Sequence, residues 1–109
     1  MGTFAIGDVV LIPFPYADFS HFKKRPALIV GQAEFNNVIL CQITSKAASS
    51  KRAIVLKDID FKKGGLRIDS FVRPDKLFTV EQSIVESAVG SLNSSKLDEA
   101  RRAVRAIFG

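Results

Sequence analysis

The sequence predicts a mainly β domain, a small barrel-like sheet that carries one C-terminal helix. Three observations predict it. Short apolar runs alternate with turn-forming stretches as far as residue 92. After residue 93 the hydrophobic spacing changes to a helical period. The chain has 109 residues, 47% hydrophobic and 25% charged, which suits one packed core and excludes a disordered or low-complexity chain. A chain of this length hides roughly 60–70% of its unfolded surface on folding. The expected organisation is therefore a single domain over residues 1–109.

Each element follows from its residues. Residues 8–13 predict a first strand, closed by Pro13 and Pro15. Residues 16–24 read as a polar loop. Residues 27–31 predict a second strand, rich in branched side chains that suit a pleated surface. Residues 34–37 read as a hairpin turn. Residues 38–44 predict a third strand, with Val38, Leu40 and Gln42 on one face and Ile39, Cys41 and Ile43 on the other. Two largely apolar faces mark a central strand of a closed or two-layer sheet. Residues 46–52 read as a second polar loop and 53–56 as a fourth strand. Residues 61–69 read as a third loop, where Gly64 and Gly65 allow positive φ. Residues 70–73 and 77–80 predict two more strands. Residues 82–90 fit a short helix or another strand equally. Ser94 or Ser95 can cap the final helix, with Asp98 completing a capping box from Ser95. Leu97, Ala100, Val104, Ile107 and Phe108 form its apolar stripe. Arg102 and Arg105 complement its dipole. So small a sheet manages its edges by closing on itself.

Composition limits the chemistry. One cysteine, Cys41, allows no disulfide within the chain and no Cys-rich zinc site. One histidine, His21, excludes zinc sites built on several His and a two-His acid–base pair from one chain. No metal or other cofactor is expected. No apolar run is long enough to span a membrane, and the N-terminus shows neither a signal-peptide core nor a myristoylation pattern. A soluble, cytoplasmic setting follows as the expectation.

The formal net charge is +5. It is unevenly distributed. Residues 16–25, 46–52 and 62–76 carry +2, +3 and +3, and the remainder carries −3. Cations gathered on loops suit a polyanion.

Four groups of residues carry candidate chemistry. Lys23, Lys24 and Arg25 precede Pro26, which holds Arg25 in an extended or turn conformation where the loop meets the strand. The guanidinium fork of Arg25 suits a phosphate. Thr44, Ser45 and Lys46 end the central strand with two hydroxyls and a cation that can face an oxyanion. Arg73 and Asp75, two apart, share a side if extended. They form either a surface ion pair or one site with a cation and a carboxylate. Phe19 and Phe22 lie in a basic loop, where aromatics stack on bases or meet another subunit. His21 titrates near neutrality and can shuttle a proton. Each group read alone is equally an ordinary loop or turn, and Cys41 reads as core.

In combination they resemble a known family. Gly7-Asp8-Val9-Val10-Leu11, then Lys24-Arg25-Pro26-Ala27-Leu28-Ile29-Val30, then Ile43-Thr44-Ser45-Lys46 is similar to the MazF/PemK toxin endoribonucleases of type II toxin–antitoxin systems. The order continues through Gly65-Leu66, Ser70-Phe71-Val72-Arg73, Asp75, Leu77, Thr79 and Gly90-Ser91-Leu92. The resemblance implies an SH3-like barrel of the CcdB/PemK type with a C-terminal helix, and a homodimer. It implies sequence-selective, metal-independent cleavage of single-stranded RNA, chiefly mRNA, and a small antitoxin partner. By position it carries catalytic roles onto Arg25, Thr44, Ser45 and Asp75. RNA contacts fall to His21, Lys23, Lys24, Lys46, Lys51, Arg52, Arg73, Lys76, Phe19 and Phe22. Two segments depart from the family pattern: Lys76 and Phe78 replace its usual Gln and Arg, and residues 18–23 are this chain's own. Both bear on which RNA sequence is read.

Without metal ligands, cleavage uses the RNA 2′-hydroxyl as nucleophile, giving a 2′,3′-cyclic phosphate and a 5′-hydroxyl. Arg25 is the natural charge stabiliser, and Thr44 with Ser45 the natural hydrogen-bond donors. The general base stays open between Asp75, His21 and an unusually placed Arg25. Two other readings fit the same sequence: a gyrase-binding toxin of the CcdB type and an inactive family member that only binds RNA.

Overall fold

A computed structural model describes residues 4–15, 22–46 and 50–109, without the side chains of Phe14, Pro15 and Phe22. The described residues form seven strands and one α-helix: β1 (Asp8–Pro15), β2 (Phe22–Ala33), β3 (Asn37–Thr44), β4 (Ile54–Leu56), β5 (Phe61–Gly64), β6 (Ser70–Glu81), β7 (Ser87–Leu92) and α1 (Ser94–Ile107). All seven strands belong to one curled antiparallel sheet in the order β4-β6-β3-β2-β1-β7-β5. The expected β class, small-barrel curvature and C-terminal helix are all present.

β3 is central, as its two apolar faces require. Cys41 and Ile43 pack with Val9, Leu28, Val72 and Leu92 in a cluster covered by Leu97, Ala100 and Val104 of α1. Val38 and Leu40 pack on the opposite face with Val10, Ile12, Ala27 and Ile29, beneath Phe4, Ile6 and Val85. Full burial of each such aliphatic side chain is worth about 1.5–3 kcal/mol. Two cores back to back fix the register, because a slip of one residue would exchange the faces of every strand.

Several elements differ from expectation. β1 runs through Pro13 to Pro15, paired with β2, because β7 pairs it only as far as Leu11 and leaves its other side open. β2 starts at Phe22, so the Lys23-Lys24-Arg25 cluster lies inside a strand and not at a loop boundary. β5 occupies the start of the expected third loop, as a short edge strand whose lysines are exposed. The two strands expected at 70–73 and 77–80 are one strand with a bulge. Gln42 pairs with Arg73 while Cys41 pairs with Leu77, so Pro74, Asp75 and Lys76 are set outside the ladder. Residues 82–84 form a helical turn, and β7 takes up the rest of that ambiguous stretch.

The helix cap is Asn93 and not Ser94 or Ser95. Its side chain accepts from the Lys96 N–H at 2.8 Å, which displaces the expected Ser95–Asp98 box. The apolar stripe is shorter than expected, since Phe108 is 74% exposed beyond the last turn. The free edges β4 and β5 do not pair with each other. Lys96 spans them, donating to the Val55 carbonyl at 3.1 Å with its ammonium 3.8 Å from Asp60 just ahead of β5. The expected turn at 34–37 is tight, with Phe35 and Asn36 at positive φ. Gln82 braces it, donating from its amide to the Asn36 side chain at 3.1 Å. Among the described residues no helix is long and apolar enough to cross a membrane.

Candidate functional site

A cleft of about 220 Å³ opens where β2 begins beside the end of β3. Lys23, Lys24, Arg25 and Pro26 line it from β2, with Ile43, Thr44 and Ser45 from β3 and its exit. Leu66, Arg67, Ile68 and Ser70 close it from the segment between β5 and β6. Register explains the meeting. Ala27 pairs with Gln42, so two residues further Arg25 comes level with Thr44. Strand alternation puts both side chains on the face of Ala27 and Leu40. Pro26 and Ile43 alternate to the other face, so the cleft wraps over the strand ends.

The segment over the cleft is shaped by two local constraints. Gly64 has φ +67° and lies so close to β7 that a Cβ would strike the Val89 carbonyl. Only glycine lets β5 press against β7 there and then turn away. At the far end the Ser70 hydroxyl donates to the Ile68 carbonyl at 3.0 Å, which tightens the segment as it enters β6. Arg67, exposed in this segment, lines the cleft. In the sequence it stands out only as one cation among those of residues 62–76.

Thr44 is fixed by its neighbour. Its hydroxyl oxygen accepts the Lys46 N–H at 3.1 Å, so the hydroxyl proton points elsewhere and is available to an oxyanion. The cleft concentrates positive charge. Four cations line it, and no carboxylate is among the described residues that do. Lys24 also meets Glu86 across the exposed surface at 2.8 Å.

Arg73 and Asp75 stand one strand away, on β6. The guanidinium grips the carboxylate at two points, Nε to Oδ1 at 3.2 Å and NH2 to Oδ2 at 3.0 Å. These bonds, helped by the charge of Lys76, hold the Asp75 carboxyl below its ordinary value of 3.8 against the effect of burial. Both resolve one sequence question: the two residues are an ion pair, and the pair sits on the strand that flanks Thr44.

The cleft gathers Lys23, Lys24, Arg25, Thr44 and Ser45 but not every candidate. Arg73, Asp75, Lys76, Lys46, Lys51 and Arg52 lie outside its lining. Lys76 is exposed on the bulge, and Lys51 and Arg52 are exposed in a turn before β4. Phe19, His21 and the Phe22 side chain lie outside the described residues. Cys41 is core, as expected, and burial pushes its thiol up to about 12.

Comparison with known proteins gives one family. A family model described as the PemK-like, MazF-like toxin of type II toxin–antitoxin systems matches residues 5–108. No curated protein matches the chain by sequence. Among solved structures, the MazE–MazF complex from Deinococcus radiodurans matches with a TM-score of 0.79 at 20% identity, covering 100% of this chain and 98% of that one. An endoribonuclease in complex with its cognate antitoxin from a mycobacterial species matches at 0.76 and 15% identity, covering 100% and 96%. The toxin MazF-mt6 of Mycobacterium tuberculosis matches at 0.70 and 19% identity, covering 93% and 95%.

Proposed function

The chain belongs to the PemK-like, MazF-like toxins of type II toxin–antitoxin systems, and from that premise we propose that it is an endoribonuclease cutting single-stranded RNA at the cleft over the adjoining ends of β2 and β3. The observation that carries this reading is the convergence of four cations with the Thr44 and Ser45 hydroxyls in a cleft whose described lining has no carboxylate. A phosphodiester needs just such a lining. Lys23, Lys24 and Arg67 attract the backbone. Arg25 takes two phosphoryl oxygens through its planar fork. Thr44 donates a hydrogen bond from its hydroxyl to an oxygen that gains charge as the phosphorus becomes five-coordinate.

The reaction asks for no external nucleophile. The 2′-hydroxyl gives up its proton to a base as its oxygen attacks the adjacent phosphorus, the bond to the 5′-oxygen breaks, and that oxygen takes up a proton, so a 2′,3′-cyclic phosphate and a 5′-hydroxyl result. Stabilisation is differential, because Arg25 and Thr44 meet more negative charge in the transition state than in the bound RNA. Asp75 is ionised at neutral pH, but its low basicity and its two bonds to Arg73 suit a support for Arg73 better than a proton acceptor.

The same reading makes this chain the toxin partner of an antitoxin, acting in the cytoplasm as a homodimer and arresting growth by cutting mRNA. The names of two structural neighbours, each a complex with an antitoxin, support the partner.

The test is cleavage of long single-stranded RNA by purified protein in the presence of a chelator, beside an Arg25→Ala variant. Cleavage by the wild type and its loss in the variant are expected. Equal cleavage by both proteins removes Arg25 from the mechanism. No cleavage of varied RNAs by the wild type overturns the reading.

A further inference from the structure

We infer that Gln42 reads an RNA base next to the scissile phosphate, with adenine the base it prefers. This rests on the proposed RNA cleavage and goes one step beyond it, to how the sequence is selected. Gln42 alternates with Leu40 and Thr44 on β3, so its side chain shares the face that carries Arg25 and Thr44. It pairs with Ala27 on one side and Arg73 on the other. Arg73 commits Nε and NH2 to Asp75.

The carboxamide of Gln42 makes no hydrogen bond to the described residues, and since no buried side-chain polar atom among them lacks a partner, the amide faces solvent and is open to a ligand. Two residues along a strand is ~7 Å, so Gln42 lies one step from a phosphate held at Thr44, in reach of the flanking nucleotide. Its amide offers one acceptor and two donors in a plane. That pattern matches the adenine N6 amino group and N7, the pairing that Gln and Asn make bidentately. Bases of single-stranded RNA are splayed and expose such edges.

The test is to sequence the cut ends of a random RNA pool after digestion by the wild type, Gln42→Met and Gln42→Glu. Met keeps the length and apolar stem and removes the amide. Glu keeps the shape and replaces the donor with an acceptor. The wild type is expected to show an adenine preference at one position beside the cut. Gln42→Met is expected to lose that preference by about tenfold, with the preferences at other positions kept. Gln42→Glu is expected to turn it towards cytosine, whose N4 donates. Unchanged profiles in both variants, or a uniform loss of rate with an unchanged profile, would overturn the inference while leaving RNA cleavage by the wild type intact. A wild type that cuts no RNA would overturn both.

Discussion

Arg73 and Asp75 form a two-point ion pair across a bulge. Arg73 is still in the β6 ladder opposite Gln42, and Asp75 has already left it. The side chains are 16% and 35% exposed, so the guanidinium is the better buried of the two. The bulge turns Asp75 back towards its neighbour, and the carboxylate fixes the guanidinium on the face that carries Thr44. Were the three bulge residues in register, β6 would pair continuously and no such grip would be needed.

Replacing Asp75 by Asn should therefore lower RNA cleavage by loosening Arg73. Hydrogen bonds to charged groups are worth about 1.5–3 kcal/mol, roughly ten- to hundredfold in rate. The pH dependence separates support from proton transfer. Because the folded carboxyl is held below 3.8, the pair is intact above about pH 4 and its stabilisation is lost only as pH falls through the lowered value. Rates between pH 6 and 9 should fall by one factor in Asp75→Asn with the profile unchanged in shape. A limb of the profile that vanishes in the variant would make Asp75 the base.

Thr44→Val tests the hydroxyl without altering shape much. Loss of one donor to a developing oxyanion costs about 10²–10³ in rate. Binding of a DNA analogue that cannot be cut should change little, because cations at the cleft hold the backbone. The Lys46 N–H loses its acceptor as well, so thermal melting should be run beside the kinetics. A variant that folds and cuts like the wild type would remove Thr44 from the chemistry.

Much of this arrangement was legible in the sequence because it depends on local period. Two apolar faces on residues 38–44 placed β3 at the centre, and the helical stripe through Leu97, Ala100 and Val104 placed α1 on the sheet. Features set by distant pairing were not legible. The β6 bulge exists because Cys41 and Gln42 pair with residues four apart, which no period in β6 records. β5 carries two lysines and ends in a glycine, so its own composition reads as a loop, and its strand character comes from β7. Asn93 was hidden by two adjacent serines that are equally good caps. Arg67 comes to the cleft from the segment after Gly64, whose close approach to β7 is a tertiary contact that the order of residues does not record.

Cys41 gives a probe of global opening. Its thiol is fully buried and shifted up to about 12 from 9.0, chiefly by burial. Thiol reagents should leave the native protein unmodified at neutral pH and react at once in denaturant. The sign of the shift gives a second expectation. Above pH 9 the unfolded thiol ionises and the folded one does not, so stability falls as pH rises from about 9 towards 12. Cys41→Ala should flatten part of that alkaline fall in urea titrations, at the cost of a small cavity. An equally steep fall in the variant would assign it to other groups.

Lys96 offers the sharpest test of how the open sheet is held. Its side chain is only 15% exposed, and its ammonium reaches the Val55 carbonyl on β4 and lies near Asp60 ahead of β5. These are the two unpaired ends of the sheet, so one side chain on α1 ties both to the helix. Lys96→Met keeps the stem over the core and removes the charge. The loss of its charge-assisted bond should cost about 1.5–3 kcal/mol, seen as a lower urea midpoint with little change in slope. The contact of Lys96 with Glu99 at 3.0 Å serves as the control. Glu99 is 49% exposed and sits one turn along the helix, so Glu99→Ala should cost only a few tenths of a kcal/mol. Equal effects of the two substitutions would place the stabilisation within the helix and not across the sheet edges. An unchanged midpoint in Lys96→Met would mean that packing of α1 alone holds β4 and β5 in place.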